Sequence, residues 1–591
     1  MFPQITSHLP ASTVHSRLLL VSGLVTVRNQ NGDLWVLSHA NSFPPQSFPV
    51  RNSAFKALLH LSPGENSITL DFRCSRNSSS NQAVFDVTYV PLLQNPPLHL
   101  AILIGQDSPL RYDEVPGVPA NLDTAIKKLR MAAYLWQAYT ANEMHAQGHG
   151  HRTFRLEEAW LHDTLSRVDS PRRTTAKVTV LRSRHSTAHL RDPCRAQQYK
   201  GRTDDQGLYR IAAEAIREHP ELKPALGEKS HVAVLYLDSM WDKKHKTVTA
   251  HAALGGPDAG GGLALAIFGS HSLFAWPDCI EDVVKAFSDT RPVDTKHCCV
   301  DGEGNNYMMA ANVGIGAFLH ECGHLFGCPH QPDGVMLRDY IRLNRSFTLA
   351  TGELCHWNRL DTLRFLRHPC FSLPSDKSYP PGCISALPIP TGILISSPSP
   401  IVLVELRTNG SEYPTSTLEP NKPSFVIPFP PVDTNIQLFS RGCPTFTVPS
   451  SAAMVPNNGT FRTVVCGSGK GTAQRAAIPY PLTRIVVHHG AALDGLEFFS
   501  NSGNGVLFGT RGGGKAVFVM QPGEELRGFS VKCGAWVDAV YIRTNLRSSE
   551  WFGGSGGGYM DAVTPGGCRL TAVFGDVGSW VLGLGVEYVS N

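Results

Sequence analysis

The sequence predicts a multidomain protein of α/β plus all-β architecture. At 591 residues the chain is too long for a single hydrophobic core, because domains usually hold about 50–250 residues. Strand-like runs separated by turn residues fill both ends, whereas strands alternate with helices in the middle. We therefore expect four domains: a β-sandwich-like domain (1–95), an α+β domain (96–385), a β-rich accessory module (386–464) and a glycine-rich all-β domain (465–591).

The first 95 residues read as short strands. The run LLLVSGLV at Leu18–Val25 is too short for a membrane span and lacks the basic front of a signal peptide, so it predicts a strand. Further runs such as SITLDFRC and AVFDVTYV follow, separated by Asn-Gly, Pro-Pro and Pro-Gly turn signals. No cluster of catalytic residue types occurs in this part.

From Pro97 the pattern changes to strands that alternate with helices. The apolar runs and helical periodicity predict, in order, a strand at Leu98–Gly105, a helix at Asn121–Met144, a strand at Lys177–Ser183, a helix at Gly207–Glu218 and strands from His231 and Leu263. Asn121 is the expected N-cap of the long helix, since its side chain can accept a hydrogen bond from the first turn.

The segment HECGHLFGCPH, His320–His330, fits the pattern H-E-x-x-H-x-x-G-x-x-H. His320 and His324 are four residues apart, so on a helix they lie one turn apart on one face and can reach one ion. Gly327 can adopt a positive φ and end the helix, after which the chain delivers His330 as a third nitrogen ligand. Three protein ligands and an open fourth position are typical of one catalytic Zn²⁺.

Glu321 stands beside the expected metal rather than on it, where it can take a proton from a water molecule. Cys322 and Cys328 lie inside the motif but are expected to be buried packing residues, because three histidines already complete the protein's share of ligands. Met336 follows at the place where a metzincin carries the methionine turn under its metal site. Without the histidine motif before it, Met336 would be interpreted as an ordinary core methionine.

Two further residues are candidates for the site. Tyr340 is either a hydrogen-bond donor to a developing oxyanion or a structural tyrosine. Asp333 is a candidate hydrogen-bond partner for a ligand histidine, or an acidic residue of a tight turn. The strand at Leu263–Gly269 is either the edge that pairs with an extended substrate, as in metzincins, or an interior strand.

Composition excludes several classes of function. Apolar residues make up 42% of the chain, charged residues 17%, and the formal net charge is only +4. Without a dense Lys/Arg block we expect no nucleic-acid partner, and without an apolar run of eighteen residues no transmembrane helix. The fourteen cysteines are scattered without C-x-x-C pairs, and no signal peptide is recognised, which favours free thiols and a cytoplasmic location.

Most of the chain resembles a fungal family of zinc metallopeptidases whose members can carry a C-terminal jacalin-like lectin domain. The resemblance rests on PLLQNPPLHLAIL (Pro91–Leu103), LRMAAYLWQAYTANEM (Leu129–Met144), HAALGG (His251–Gly256) and the long segment Gly316–Phe347. It implies a metzincin-like catalytic domain flanked by β-sandwich-like modules. It also implies that the three histidines bind zinc, with Glu321 as the catalytic acid and base.

The last domain is similar to jacalin-type β-prisms through ALDGLEFF, the FGGSGGG turn and the closing GSWVLGLGVEY. Sugar-binding members carry an aspartate in the closing loop, where this chain has Leu582, so carbohydrate is a doubtful partner. Trp580 in the same loop could stack on a ligand, but we expect a buried prism tryptophan.

These observations predict a zinc-dependent metalloendopeptidase that acts on a protein or peptide substrate. The alternative is a non-catalytic zinc protein that uses the jacalin-like domain to recognise a glycan or a protein. A zinc hydrolase of non-peptide amides is a third interpretation, because the same water chemistry serves both kinds of amide.

Overall fold

The computed structural model describes residues 2–39, 42–75, 80–294, 305–380, 382–448, 451–454, 456–468 and 470–591. Contacts divide the chain into two compact units, Met1–Asp376 and Lys377–Asn591. The first unit contains two hydrophobic cores, one with side chains from Ile5 to Phe371 and one with side chains from Ala101 to Ile267. The finer division into four domains stays a prediction.

The first unit begins with eight strands. They are β1 (Pro3–Ile5), β2 (Thr13–Val14), β3 (Leu18–Val25), β4 (Gly32–Ser38), β5 (Gln46–Arg51), β6 (Ala54–His60), β7 (Gly64–Cys74) and β8 (Ser80–Tyr89). They form one sheet in the order β1-β3-β6-β5-β4-β7-β8-β2. Strands β1 and β8 also contact each other, so the sheet curls back around the apolar side chains of its inner face.

The rest of the first unit is mixed α/β. Its elements are β9 (Leu98–Ile104), α1 (Leu122–Ala146), β10 (Glu158–His162), β11 (Arg172–Ala176), β12 (Val178–Arg182), α2 (Thr187–Leu190), α3 (Gly207–Glu218), β13 (Ser230–Tyr236), β14 (Met240–Asp242), β15 (Thr247–Thr249), β16 (Leu254–Gly256), β17 (Leu263–Gly269), α4 (Ile280–Ala286), α5 (Tyr307–Leu325), α6 (Asn344–Phe347) and α7 (Arg359–Phe365). Short 3₁₀ turns lie at Val335–Leu337, Asp339–Arg342 and Pro369–Phe371.

A five-stranded sheet in the order β12-β9-β13-β17-β16 forms the centre of this part. The first four strands are parallel, and β16 runs antiparallel to β17 at the edge. Of the two interpretations of Leu263–Gly269, the interior strand is therefore confirmed and the substrate-binding edge is not. All seven of its residues are buried, because it is covered by β13 and β16 on its two sides and needs apolar side chains on both faces.

Helices α1, α3 and α5 pack against this sheet. Helix α1 starts behind Asn121, whose side chain accepts a hydrogen bond from the Thr124 N–H, as predicted. Helix α5, which carries the histidine motif, begins at Tyr307, because the Asn306 side chain caps it by accepting a hydrogen bond from the Met309 N–H. Within the part of the chain that the structure describes, no helix has the length and apolar character needed to cross a bilayer.

The second unit is all-β. Its strands are β18 (Ser385–Ile389), β19 (Gly392–Thr408), β20 (Ser416–Leu418), β21 (Lys422–Ile427), β22 (Thr434–Ser440), β23 (Phe446–Val448), β24 (Thr460–Arg462), β25 (Cys466–Gly467), β26 (Thr472–Ala477), β27 (Leu482–His489), β28 (Leu493–Ser500), β29 (Gly505–Gly509), β30 (Gly514–Val519), β31 (Leu526–Cys533), β32 (Val537–Thr544), β33 (Ser548–Gly553), β34 (Gly558–Val563), β35 (Cys568–Val577) and β36 (Gly583–Ser590).

Strands β18 to β23 form one sheet with a hydrophobic core of its own. The later strands form three sheets, β24-β36-β35-β26 with β25 beside β36, β29-β28-β27-β30 and β33-β32-β31-β34. Side chains from all three sheets meet in a single core. Three sheets around one core are the arrangement of a β-prism.

Candidate functional site

The structure brings the three motif histidines together at the end of α5. His320 is buried, His324 is half-buried on the next turn of the same helix face, and His330 lies in the loop beyond it. One ring nitrogen from each lies within 4.8 Å of the others. Helical spacing accounts for the first two, and the path of the chain after α5 accounts for the third.

That path depends on Gly327. Helix α5 ends at Leu325, and Gly327 has a φ of +90°. This left-handed conformation costs glycine little because it has no Cβ. The chain turns there and places the Nε2 atom of His330 at 3.3 Å from the Nε2 atom of His324.

Main-chain carbonyl groups fix the orientation of two of the rings. The Nδ1 atom of His320 lies 2.9 Å from the Val335 carbonyl oxygen, and that of His324 lies 2.7 Å from the Cys328 carbonyl oxygen. A carbonyl oxygen can only accept, so each Nδ1 carries the proton. Each Nε2 therefore presents a lone pair, as a metal ligand must.

These residues fit a zinc ion. Burial, followed by the nearby His324, lowers the pKa of His320 to about 3, and burial also lowers the pKa of His324. Both rings are therefore neutral at physiological pH. Two nitrogens bound tetrahedrally at about 2.0–2.1 Å from one ion lie about 3.3 Å apart, which is the separation between His324 and His330.

Glu321 and the histidines line a cavity of about 720 Å³. Only 6% of the Glu321 surface is exposed, and burial raises the pKa of its carboxyl group to about 8, while Arg338 opposes the rise. One wall of the cavity is the edge strand β16 and the other is α5. The two approach so closely that a Cβ on Gly255 would lie 2.1 Å from the Glu321 carbonyl oxygen.

Two glycines of α5 let the following turns pack directly against the helix. At Gly323 a Cβ would meet the Met336 sulfur at 2.5 Å, so buried Met336 lies against the helix between the two histidine positions. At Gly316 a Cβ would meet the Tyr340 Cβ at 2.3 Å. The Tyr340 ring lines the cavity and lies edge-on to His320, with centroids 6.0 Å apart.

Asp333 does not take the place predicted for it. Its carboxylate accepts a hydrogen bond from the Asn358 amide at 2.7 Å and lies 3.1 Å from the His356 ring. The partners of His320 and His324 are the main-chain carbonyl groups described above. Cys322 and Cys328 are both buried, as expected of packing residues.

Gln197 and Arg338 also line the cavity, and sequence reasoning missed Gln197. Gln197 donates from its backbone N–H to the His251 carbonyl, and its side-chain amide both donates to and accepts from the Ala253 backbone, at 3.2 and 2.7 Å. It thus holds the segment that leads into β16. Arg338 lines the cavity from a left-handed backbone conformation with φ +99°. Its position two residues after Met336 marks it in the sequence, whereas no local pattern marks Gln197.

In the second unit, the closing loop of the prism differs from expectation at Trp580. The prediction of a buried tryptophan is wrong, because 39% of its surface is exposed. It lies edge-on to Trp536, which is 40% exposed, with ring centroids 5.8 Å apart. Leu582 in the same loop packs against Gly471 and Gly578 and offers no side-chain hydrogen bond.

Comparison with known proteins agrees with this organisation. A family described as "Putative peptidase family" matches residues 2–392, and the jacalin-like lectin domain matches residues 464–587. A protein of Schizosaccharomyces pombe described as a "putative zinc metalloproteinase" is 33% identical over 620 residues, which cover 97% of each chain. A protein of Saccharomyces cerevisiae with the same description is 32% identical over 669 residues, 94% of this chain and 93% of that one.

Among solved structures, a mannose-binding jacalin-related lectin from Ananas comosus is 27% identical and covers 23% of this chain and all of the lectin, with a TM-score of 0.20. The family match spans well over half of the chain, and the two fungal relatives align along nearly its whole length. The chain therefore belongs to this peptidase family, and it carries a jacalin-like domain over residues 464–587.

Proposed function

We propose that the protein is a zinc-dependent endopeptidase of metzincin type. The observation that carries this proposal is the convergence of three imidazoles beside a buried glutamate in one cavity. The descriptions of the two fungal relatives support the same reaction class.

His320, His324 and His330 would hold the metal. A zinc ion there would polarise a substrate carbonyl and make a water molecule acidic enough to attack it near neutral pH. The positive charge of a bound ion would lower the pKa of Glu321 from its metal-free value of about 8 and keep the carboxylate ionised near neutral pH. The carboxylate then accepts the proton of the attacking water and passes it to the leaving amine.

Strand β16 supplies the substrate's binding edge. It pairs with β17 on one side only, and Leu254 and Gly255 line the cavity. An extended peptide can add to such an edge through main-chain hydrogen bonds, largely independent of its sequence. Binding along a strand edge extends to both sides of the scissile bond, which favours endopeptidase over terminal cleavage.

Tyr340 is the donor to the developing oxyanion in this proposal. Its ring lines the cavity and lies edge-on to His320, with centroids 6.0 Å apart. Hydrogen bonds that strengthen as negative charge develops lower the barrier without tightening substrate binding.

The test compares wild type with Glu321→Gln on a library of peptides, with zinc content measured in the same samples. We expect the variant to keep its zinc and to lose at least ~10²-fold in rate, since general acid/base groups contribute about 10²–10⁴-fold. Glu353→Gln is the control, because Glu353 is an exposed partner of Arg342 outside the cavity. An equally active Glu321→Gln variant, or chelator-resistant cleavage, would refute the mechanism.

A library that stays uncut while the zinc is present would instead favour hydrolysis of non-peptide amides or a binding role. For the second unit, the exposed Trp536–Trp580 pair favours recognition of a ligand with an apolar face, such as a sugar ring. A glycan array with wild type and Trp580→Ala tests this second function. Equal signals from both proteins would exclude the tryptophan pair as the binding site.

A further inference from the structure

A second group of metal-binding side chains lies in the first unit, apart from the cavity. Within the described residues, His231, His368 and Cys370 bring one nitrogen or sulfur each within 4.8 Å of one another. His231 is 1% exposed and Cys370 is fully buried, while His368 is half-buried. None of the three lines the cavity that contains Glu321.

The three residues come from two distant parts of the chain. His231 lies in β13, an interior strand of the five-stranded sheet, between β9 and β17. His368 and Cys370 flank the start of the 3₁₀ turn that follows α7. The two imidazole rings meet edge-on with centroids 5.3 Å apart. Contact between the strand and the turn is thus made through groups that can ligate a metal.

The burial of His231 is not explained by hydrogen bonds to its ring. Neither of its ring nitrogens has a hydrogen-bond partner within the described structure, although the residue is almost fully buried. A neutral imidazole always presents one N–H and one lone pair, and leaving such buried groups unpaired is destabilising. Apolar neighbours such as Phe326, with its centroid 6.3 Å away, cannot satisfy either atom.

The three donor atoms of this group favour some metal ions over others. Two imidazole nitrogens and one thiolate suit zinc, whereas calcium and magnesium require oxygen ligands. The His368 ring accepts a hydrogen bond from the Cys370 backbone N–H at Nδ1, over a distance of 3.3 Å. That contact is longer than the usual range, so it does not commit the ring to a single orientation.

We propose that His231, His368 and Cys370 bind a second zinc ion, which ties the turn after α7 to the central strand β13. Binding converts the Cys370 thiol to a thiolate and releases its proton to solvent.

The ion's place suggests what it stabilises. Phe326, the residue that follows α5, packs on both histidine rings, with centroid separations of 6.3 Å to His231 and 5.2 Å to His368. The second ion would therefore fix the structure on which the end of the motif helix rests. This role is structural, and it does not depend on whether the first site is catalytic.

The test measures zinc per chain and the absorption of the cobalt-substituted protein. Wild type should bind about two ions, and Cys370→Ser about one. Cobalt bound to a thiolate gives a charge-transfer band in the near ultraviolet, which Cys370→Ser should lose. Cys355→Ser is the matched control, because Cys355 is an equally buried thiol of the same unit whose neighbour is the Tyr139 hydroxyl. It should keep both ions and the band.

A variant that removes the first site, His320→Ala with His324→Ala, separates the two sites even if Cys370→Ser fails to fold. It should retain about one ion per chain and the thiolate band. One ion in wild type, or a band that disappears with His320 and His324, would overturn the proposal. Neither outcome would contradict the proposed peptidase, whose own test is the Glu321→Gln rate.

Discussion

The close approach of β16 to α5 gives a sharp test of how the site is built. A Cβ added at Gly255 would lie 2.1 Å from the Glu321 carbonyl oxygen and 2.9 Å from the His324 Cβ, whereas real Cβ atoms essentially never approach within 3.0 Å. Gly255→Ala must therefore separate strand and helix by about 0.9 Å (from 2.1 to 3.0 Å). Both atoms that it meets belong to rigid parts of the helix, so no side-chain rotation relieves the contact.

The expected loss follows from two opposing contributions. Overpacking a tight contact costs about 1–3 kcal/mol, while replacing glycine by alanine in a strand gains about 0.5–1 kcal/mol. We expect Gly255→Ala to lower the free energy of unfolding by about 1–2 kcal/mol. If the peptidase proposal holds, kcat/KM should also fall by ~10²-fold, since a displacement of about 1 Å has that effect on a positioned site.

Gly256→Ala is the matched control in the same strand. The nearest atom to its added Cβ is the Tyr209 hydroxyl oxygen at 3.1 Å, the end of a side chain that can shift. We expect unchanged or slightly higher stability. Urea denaturation measures the free energy of unfolding of both variants from the same unfolding transition. Peptide cleavage by both variants is measured at matched zinc content. Equal stability of Gly255→Ala and Gly256→Ala would refute the close-packing argument.

Three further predictions concern single groups. Tyr340→Phe should lower kcat about tenfold or more with KM nearly unchanged, because a hydrogen bond to the oxyanion strengthens in the transition state. A rise in KM as large as the fall in kcat would contradict this role. Asp333→Asn should leave zinc affinity and rate within about twofold, whereas a partner of a ligand histidine would cost 10–100-fold in metal affinity. In the prism, burial alone would raise the pKa of the Glu587 carboxyl group. Hydrogen bonds from Arg475 and Arg462 outweigh this effect and hold the pKa below its usual 4.5. The second unit should therefore lose stability as pH falls below 4.5, and Glu587→Gln should flatten that dependence in thermal melts at pH 3–7.

The metal-binding part of the site could be predicted because its determinants are local. Two histidines four residues apart share a helix face whatever surrounds them, and a glycine after the helix can turn the chain wherever it occurs. The same holds for Asn121, whose capping bond lies within three residues of its own position. Such features depend on the backbone geometry of one segment, and that geometry can be inferred from the sequence of the segment.

The cavity walls could not be predicted in this way, because they depend on contacts between distant segments. Strand β16 has only three residues, two of them glycines, so its sequence indicates a turn rather than an edge strand. The glycines are needed for its approach to α5, which is visible only in three dimensions. Gln197 is 56 residues from the Ala253 backbone that it holds, and no periodicity connects the two.

The orientation of the histidine rings follows from the same mixture of local and distant effects. Their Nδ1 protons are held by the carbonyl groups of Cys328 and Val335, so no side chain can be removed to release them. Each carbonyl follows directly after a glycine with positive φ, Gly327 at +90° and Gly334 at +78°. At Gly334 an added Cβ would meet the His356 carbonyl oxygen at 2.7 Å. In the sequence these two glycines look like turn signals, but in the structure they determine which ring nitrogen faces the cavity. The ligand geometry therefore depends on the main chain around the motif as much as on its histidines.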